Sequence, residues 1–125
     1  KNLNLENEIS LFDDVFFNPI HVDCLAQIIY ECSLKSIFGL YHYGSNNIIT
    51  KFNFGFLFAN LSGYDTKLIR PINLDQASMK VNRPKYTVLN CTALDKMIEI
   101  KLPSNQETIE YLIAQNNNLL SEKRL

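Results

Sequence analysis

The chain has 125 residues, a formal charge of −1, and 46% apolar against 20% charged residues. That length suits one domain, 1–125, able to bury roughly two-thirds of its unfolded surface. The near-neutral charge leaves no basic footprint for nucleic acid or an anionic membrane, and no apolar run approaches the roughly 20 residues of a membrane span.

No signal peptide opens the chain, which points to a cytoplasmic protein. Lys1 stands first in place of a methionine, so the chain is expected to begin inside a longer protein. Its three cysteines, Cys24, Cys32 and Cys91, contain no C-x-x-C pair and read as reduced, mostly buried small hydrophobes.

Residues 1–8 are polar. Ile9 to Phe12 reads as a short strand closed by an Asp13-Asp14 turn. Val15 to Val22 is apolar and extended but broken by Asn18-Pro19, so it reads as loop or edge strand. Pro19 keeps Asn18 out of the helical region, and Asp23 is expected to cap a first helix running to about Leu34. Leu25, Ile28, Ile29 and Cys32 recur at i, i+3, i+4 and i+7 as its buried stripe.

Gly39 to Tyr43 reads as a brief strand ending at a Gly44–Asn47 turn. Thr50 is placed to cap a second helix, Phe52 to Leu61, that is apolar nearly all round and ends at Gly63. A helix this apolar is expected to lie between layers, better covered if a further domain packs on it. Thr66 to Ile72 reads as a third strand, at an edge because of Pro71. A polar loop (73–82), an extended stretch (83–89) and a short helix from Cys91 to Met97 follow. Ser104 and Glu107 stand in capping-box register, opening a last helix that runs to about Asn116 with Ile109, Leu112 and Ile113 inward. Residues 116–125 read as solvated. The class is α/β, with few short strands and about four helices.

Chemistry-bearing residues are sparse. His21, just before a helix start, reads either as a substrate contact or as the commoner packed, hydrogen-bonded histidine; His42 is similar. Tyr41 and Tyr43 share one strand face, more often a packing device than a stacking platform. Asp13-Asp14 could hold a cation, although a solvated turn is the commoner use of such a pair. Arg83 before Pro84 is the best polar candidate, since a fixed guanidinium matches phosphate oxygens; a surface ion pair is the competing use. No G-x-G-x-x-G turn, Tyr-x-x-x-Lys pair, G-x-S-x-G elbow or cysteine/histidine metal cluster occurs. No cofactor is expected on this chain alone.

Phe12-Asp13-Asp14 with Asn18-Pro19-Ile20-His21-Val22-Asp23-Cys24-Leu25-Ala26 resembles the F-D-D…P-T-x-V-D-D-L-A segment of dTDP-4-dehydrorhamnose reductases, in the extended short-chain dehydrogenase/reductase superfamily. Gly39-Leu40-Tyr41-His42, the Phe-rich helix up to Gly63, Arg83-Pro84 through Leu94, and Leu102-Pro103-Ser104 resemble further motifs of that family in the same order. The resemblance implies the C-terminal, substrate-binding portion of an NAD(P)H-dependent sugar-nucleotide reductase of deoxysugar and polysaccharide biosynthesis. NADPH or NADH and the Tyr-x-x-x-Lys pair would belong to an upstream Rossmann domain. By position Arg83 would meet the diphosphate, Asn18 and His21 would border the sugar cleft, and the parent could be a homodimer. Alternatives within the superfamily are a non-catalytic regulatory or binding module and an NAD-dependent epimerase or dehydratase. Phe17 departs from the pattern, standing where many relatives carry arginine and the reductases glycine.

Overall fold

Residues 7–45, 47–101 and 103–122 are described by a computed structural model. Ile9–Phe12 forms strand β1, as its apolar run predicts, and Phe16–Phe17 forms β2 two turn residues and Val15 later. Helix α1 spans Val22–Leu34; Ile49–Thr50 is β3; helix α2 spans Lys51–Leu61. Ile69–Ile72 is β4, Thr92–Asp95 is the short helix α3, and Asn105–Glu122 is helix α4. The architecture is mixed α/β, with four helices and four short strands among the described residues. β1 pairs in parallel with β4, Ile9 opposite Ile69 through Phe12 opposite Ile72. β2 pairs antiparallel with β3.

Helix α2 is built as its cap predicts. Thr50 accepts a hydrogen bond from the Asn53 N–H at 3.0 Å, and Gly63 follows the helix with φ +73°. The helix packs on β1, β4 and α4. A Cβ at Gly55 would meet Leu11 of β1, so the missing side chain is what lets the strand lie against the helix. Only Ala59 of α2 is fully buried, so its aromatic residues are half-covered rather than wedged between layers. A second core joins α1 to α3 through Ile28, Leu94 and Ile98, with Cys32, Tyr41 and Tyr43 packed around them. In α4 the expected capping box forms: Ser104 accepts from the Glu107 N–H at 3.2 Å, and Glu107 accepts from the Ser104 N–H at 2.7 Å.

Several expectations are corrected. Gly39 to Tyr43 is irregular, because no neighbouring strand offers it a ladder and Leu40 stands exposed. The strand foreseen over 66–72 is shorter. Asp65 accepts from the Lys67 N–H and winds Thr66–Leu68 into a 3-10 turn, leaving only Ile69–Ile72 extended. Within the 73–82 loop, Leu74–Gln76 makes a further 3-10 turn and buries Leu74. The stretch 83–89 stays extended, touching the sheet at one bridge between Phe16 and Tyr86. Helix α3 is shorter than foreseen and α4 longer. Ile29 faces outward, so the inner stripe of α1 is narrower than its period suggests. Expectations for residues 1–6, for Asn46 and Leu102, and for the side chains of 116–125 lie outside the described residues.

The cap of α1 is the most consequential correction. The cap lies two residues earlier than expected: His21 takes the capping position with extended φ/ψ (−71°, 142°), and its Nδ1 accepts from the Asp23 N–H at 3.2 Å. Asp23, displaced into the first turn, instead accepts from Tyr111 and Gln115 of α4, the latter at 2.6 Å.

Candidate functional site

The loop carrying Arg83 is held by charge. Asp14, just past β1, accepts the Leu74 N–H at 2.8 Å and pairs with the Lys85 ammonium at 2.9 Å. Lys85 also meets Asp75 at 2.6 Å. The Lys85 hydrogen bond holds the Asp14 carboxyl below its ordinary range, helped by the Leu74 N–H and opposed by burial. Asp14 and then Asp75 raise the Lys85 ammonium well above its own range. The Asp13-Asp14 turn is therefore an anchor: one carboxylate clasps both ends of the 74–85 loop. On the β2 side, Phe16 donates its N–H to Lys85 and accepts the Thr87 N–H, completing the frame.

Arg83 lies where two cavities adjoin. The larger, about 520 Å³, is lined by the loop from Leu74 through Lys85, including Asp75, Ser78 and Asn82. The other, about 340 Å³, has apolar walls from Phe12, Val15, Leu74 and Pro84, and Lys51 and Arg83 are its charged lining residues. Lys51 was not singled out from the sequence. The available signal was a lone charge directly after a cap, at the head of an otherwise apolar helix. Its ammonium lies 3.4 Å from the centroid of the Phe17 ring.

Asn18 borders a third cavity of about 400 Å³, together with Ser45, Tyr86, Leu89, Cys91 and Asp95. Its amide is fully engaged: Nδ2 donates to the Leu89 carbonyl at 3.1 Å while Oδ1 accepts the Leu89 N–H at 3.0 Å. Cys91 is a free thiol whose pKa is pushed up by burial. His21 lines none of the three cavities. It is 5% exposed, with its ring edge-on to Tyr111 at 4.7 Å, and it joins α1 to α4. The structure thus places Arg83 and Asn18 on different cavities and His21 behind them.

Tyr41 and Tyr43 pack on the α1–α3 core, and His42 is exposed. Burial raises the Tyr43 phenol well above its usual pKa. No group of three or more His, Cys, Asp or Glu among the described residues is arranged to hold a metal ion, and no described helix is long and apolar enough to cross a membrane. A nicotinamide dinucleotide does not fit the residues present. Among the described residues the one parallel strand pair, β1 with β4, runs on into Asp13 and Asn73, with no glycine-rich turn to admit a pyrophosphate.

Comparison with known proteins gives a family match and a set of fold matches. The model of the RmlD substrate binding domain matches residues 1–118. No curated protein sequence matches the chain. A dTDP-4-dehydrorhamnose reductase from Bacillus anthracis, solved with NADP, superposes with a TM-score of 0.82 at 21% identity, over 91% of this chain and 40% of that one. The Clostridium acetobutylicum reductase gives 0.74 at 22% identity, over 89% and 41%. A Bacillus anthracis dTDP-glucose 4,6-dehydratase solved with NAD gives 0.64 at 18%, over 88% and 36%. The chain therefore spans about two-fifths of the length of the reductases it resembles.

Proposed function

The chain belongs to the RmlD substrate binding domain family, and from that membership we propose that it holds the nucleotide-sugar of an NAD(P)H-dependent dTDP-4-dehydrorhamnose-type reductase. In this reading it is the C-terminal portion of a longer protein. The cofactor and the tyrosine–lysine pair belong to the portion this chain lacks, since neither motif occurs in it. The observation that carries the reading is Arg83. Its guanidinium stands at the junction of two cavities, and no described carboxylate pairs with it. A planar fork of donors left free at such a junction is suited to the diphosphate in the middle of a nucleotide-sugar, with base and sugar extending to either side.

The clasp formed by Asp14, Lys85 and Asp75 serves this site by fixing the loop from which Arg83 projects. Asn18 borders a separate cavity and His21 lies behind it. Asn18 ties the segment before α1 to Leu89, and His21 ties α1 to α4.

The test is an assay of the complete protein with NADPH and a dTDP-4-keto sugar. Turnover is expected, with Arg83→Ala raising KM by roughly tenfold or more, the scale of a lost charge-assisted hydrogen bond. An unchanged KM removes Arg83 from the site. Binding of the nucleotide-sugar without NADPH oxidation would identify a non-catalytic module of the same superfamily. No binding at millimolar ligand would overturn the reading.

A further inference from the structure

The cavity of about 340 Å³ beside Arg83 has a second cation that the family resemblance does not supply. Lys51 is the first residue of α2, and its position is closely fixed. Its N–H donates to the Val15 carbonyl at 3.1 Å, Thr50 caps the turn that follows, and the Phe17 ring lies beneath the ammonium. Phe17 is itself held by the β2–β3 pairing and by an edge contact with Phe54 at 5.5 Å.

A surface lysine ordinarily stretches its head into water. Here the head rests on the face of the Phe17 ring, and burial lowers its pKa. The ion pairs among the described residues engage Lys35, Arg70 and Lys85, not Lys51 or Arg83. Two cations therefore line one small, largely apolar cavity with no carboxylate between them, an arrangement an anion would relieve. The Thr87 hydroxyl is already spent on the Phe16 carbonyl. The two cations are thus the groups left to bind a charged ligand.

We infer that Lys51 and Arg83 form a two-armed clamp for the phosphoryl groups of the ligand, with Phe17 acting as the seat that aims the Lys51 ammonium. The planar guanidinium suits paired oxygens, while the ammonium adds a compact charge. This inference rests on the nucleotide-sugar reading for the identity of the ligand, although the clamp is a property of the cavity.

The experiment is calorimetric titration of the complete protein with dTDP and with inorganic pyrophosphate. It compares wild type, Lys51→Met and Lys51→Arg, with thermal unfolding run alongside. Lys51→Met is expected to weaken both ligands by about tenfold and to flatten their salt dependence, while Lys51→Arg restores most of the affinity. Unchanged dTDP affinity in Lys51→Met overturns the clamp and leaves the nucleotide-sugar reading standing. Pyrophosphate binding that needs Lys51, with no gain from the thymidine moiety, keeps the clamp and overturns the nucleotide part of the reading. Failure of wild type to bind either probe overturns both.

Discussion

Asn18 is held at both ends of its amide by one residue, Leu89, 71 positions further on. The segment before α1 also runs so close to Gly44 that a Cβ there would stand 2.6 Å from the Asn18 carbonyl oxygen and 2.5 Å from its side-chain nitrogen. The backbone oxygen cannot swing aside as a side-chain tip can. Gly44→Ala is therefore expected to cost about 1–3 kcal/mol, the usual range for forced overpacking. A shift in urea midpoint without a change of slope would check it. Asn18→Ala should cost less, about 0.5–1.5 kcal/mol, because the exposed Leu89 N–H and carbonyl it frees can bond water. Asn18 and His21 were legible in the sequence as residues of interest at a strand-to-helix junction, but their partners were not. Leu89 and Tyr111 are brought to them only by the tertiary fold. Asp is a favoured helix cap, which is why Asp23 read as the cap. His21 won because Asp23 had a better use, accepting from Gln115 and Tyr111 across the helix interface.

At the scale of elements, local signals held where a single side chain decides the outcome. Thr50 caps α2, Ser104 with Glu107 opens α4, and Gly63 follows α2, each as read. Signals failed where a partner decides. Gly39 to Tyr43 has strand-like composition but no ladder, and β2 and β3 are strands only because each finds the other. The 74–85 loop is an element of the second kind, made rigid by Lys85 between Asp14 and Asp75. Its stability should depend on acid. The Asp14 pKa is lower in the folded chain than in the unfolded one, so the contribution is complete above about pH 4 and is lost as pH falls through the depressed value. Hydrogen exchange at Leu74, whose N–H Asp14 accepts, should accelerate below that pH while the core around Ile28 stays protected. Asp14→Asn should show the fast exchange at neutral pH. An acid response shared equally by the Ile28 core would place the effect elsewhere.

At the scale of the molecule, each sheet has only two strands among the described residues, and a thin sheet hides little. Some of the exposed surface is apolar and lies together in sequence. Ile29, Tyr30 and Leu34 on the outer face of α1 are each more than half exposed, and Phe38 and Leu40 just beyond it are 85% and 91% exposed. The α2 helix drew attention because it is apolar on every face, yet it is half-covered by β1, β4 and α4. Helix α1 reads as amphipathic and nevertheless turns apolar residues outward on both sides of its inner stripe. A surface of this kind binds hydrophobic dyes and promotes association. The 125-residue chain should therefore enhance anilinonaphthalene sulfonate fluorescence in its native state and sediment in a concentration-dependent way. Phe38→Ser with Leu40→Ser should reduce both effects and leave the unfolding midpoint nearly unchanged, because neither side chain has packing to lose. A large fall in the midpoint would mean that the 38–40 segment is packed rather than exposed. Persistence of dye binding at wild-type strength would move the responsible surface to the half-covered aromatic residues of α2.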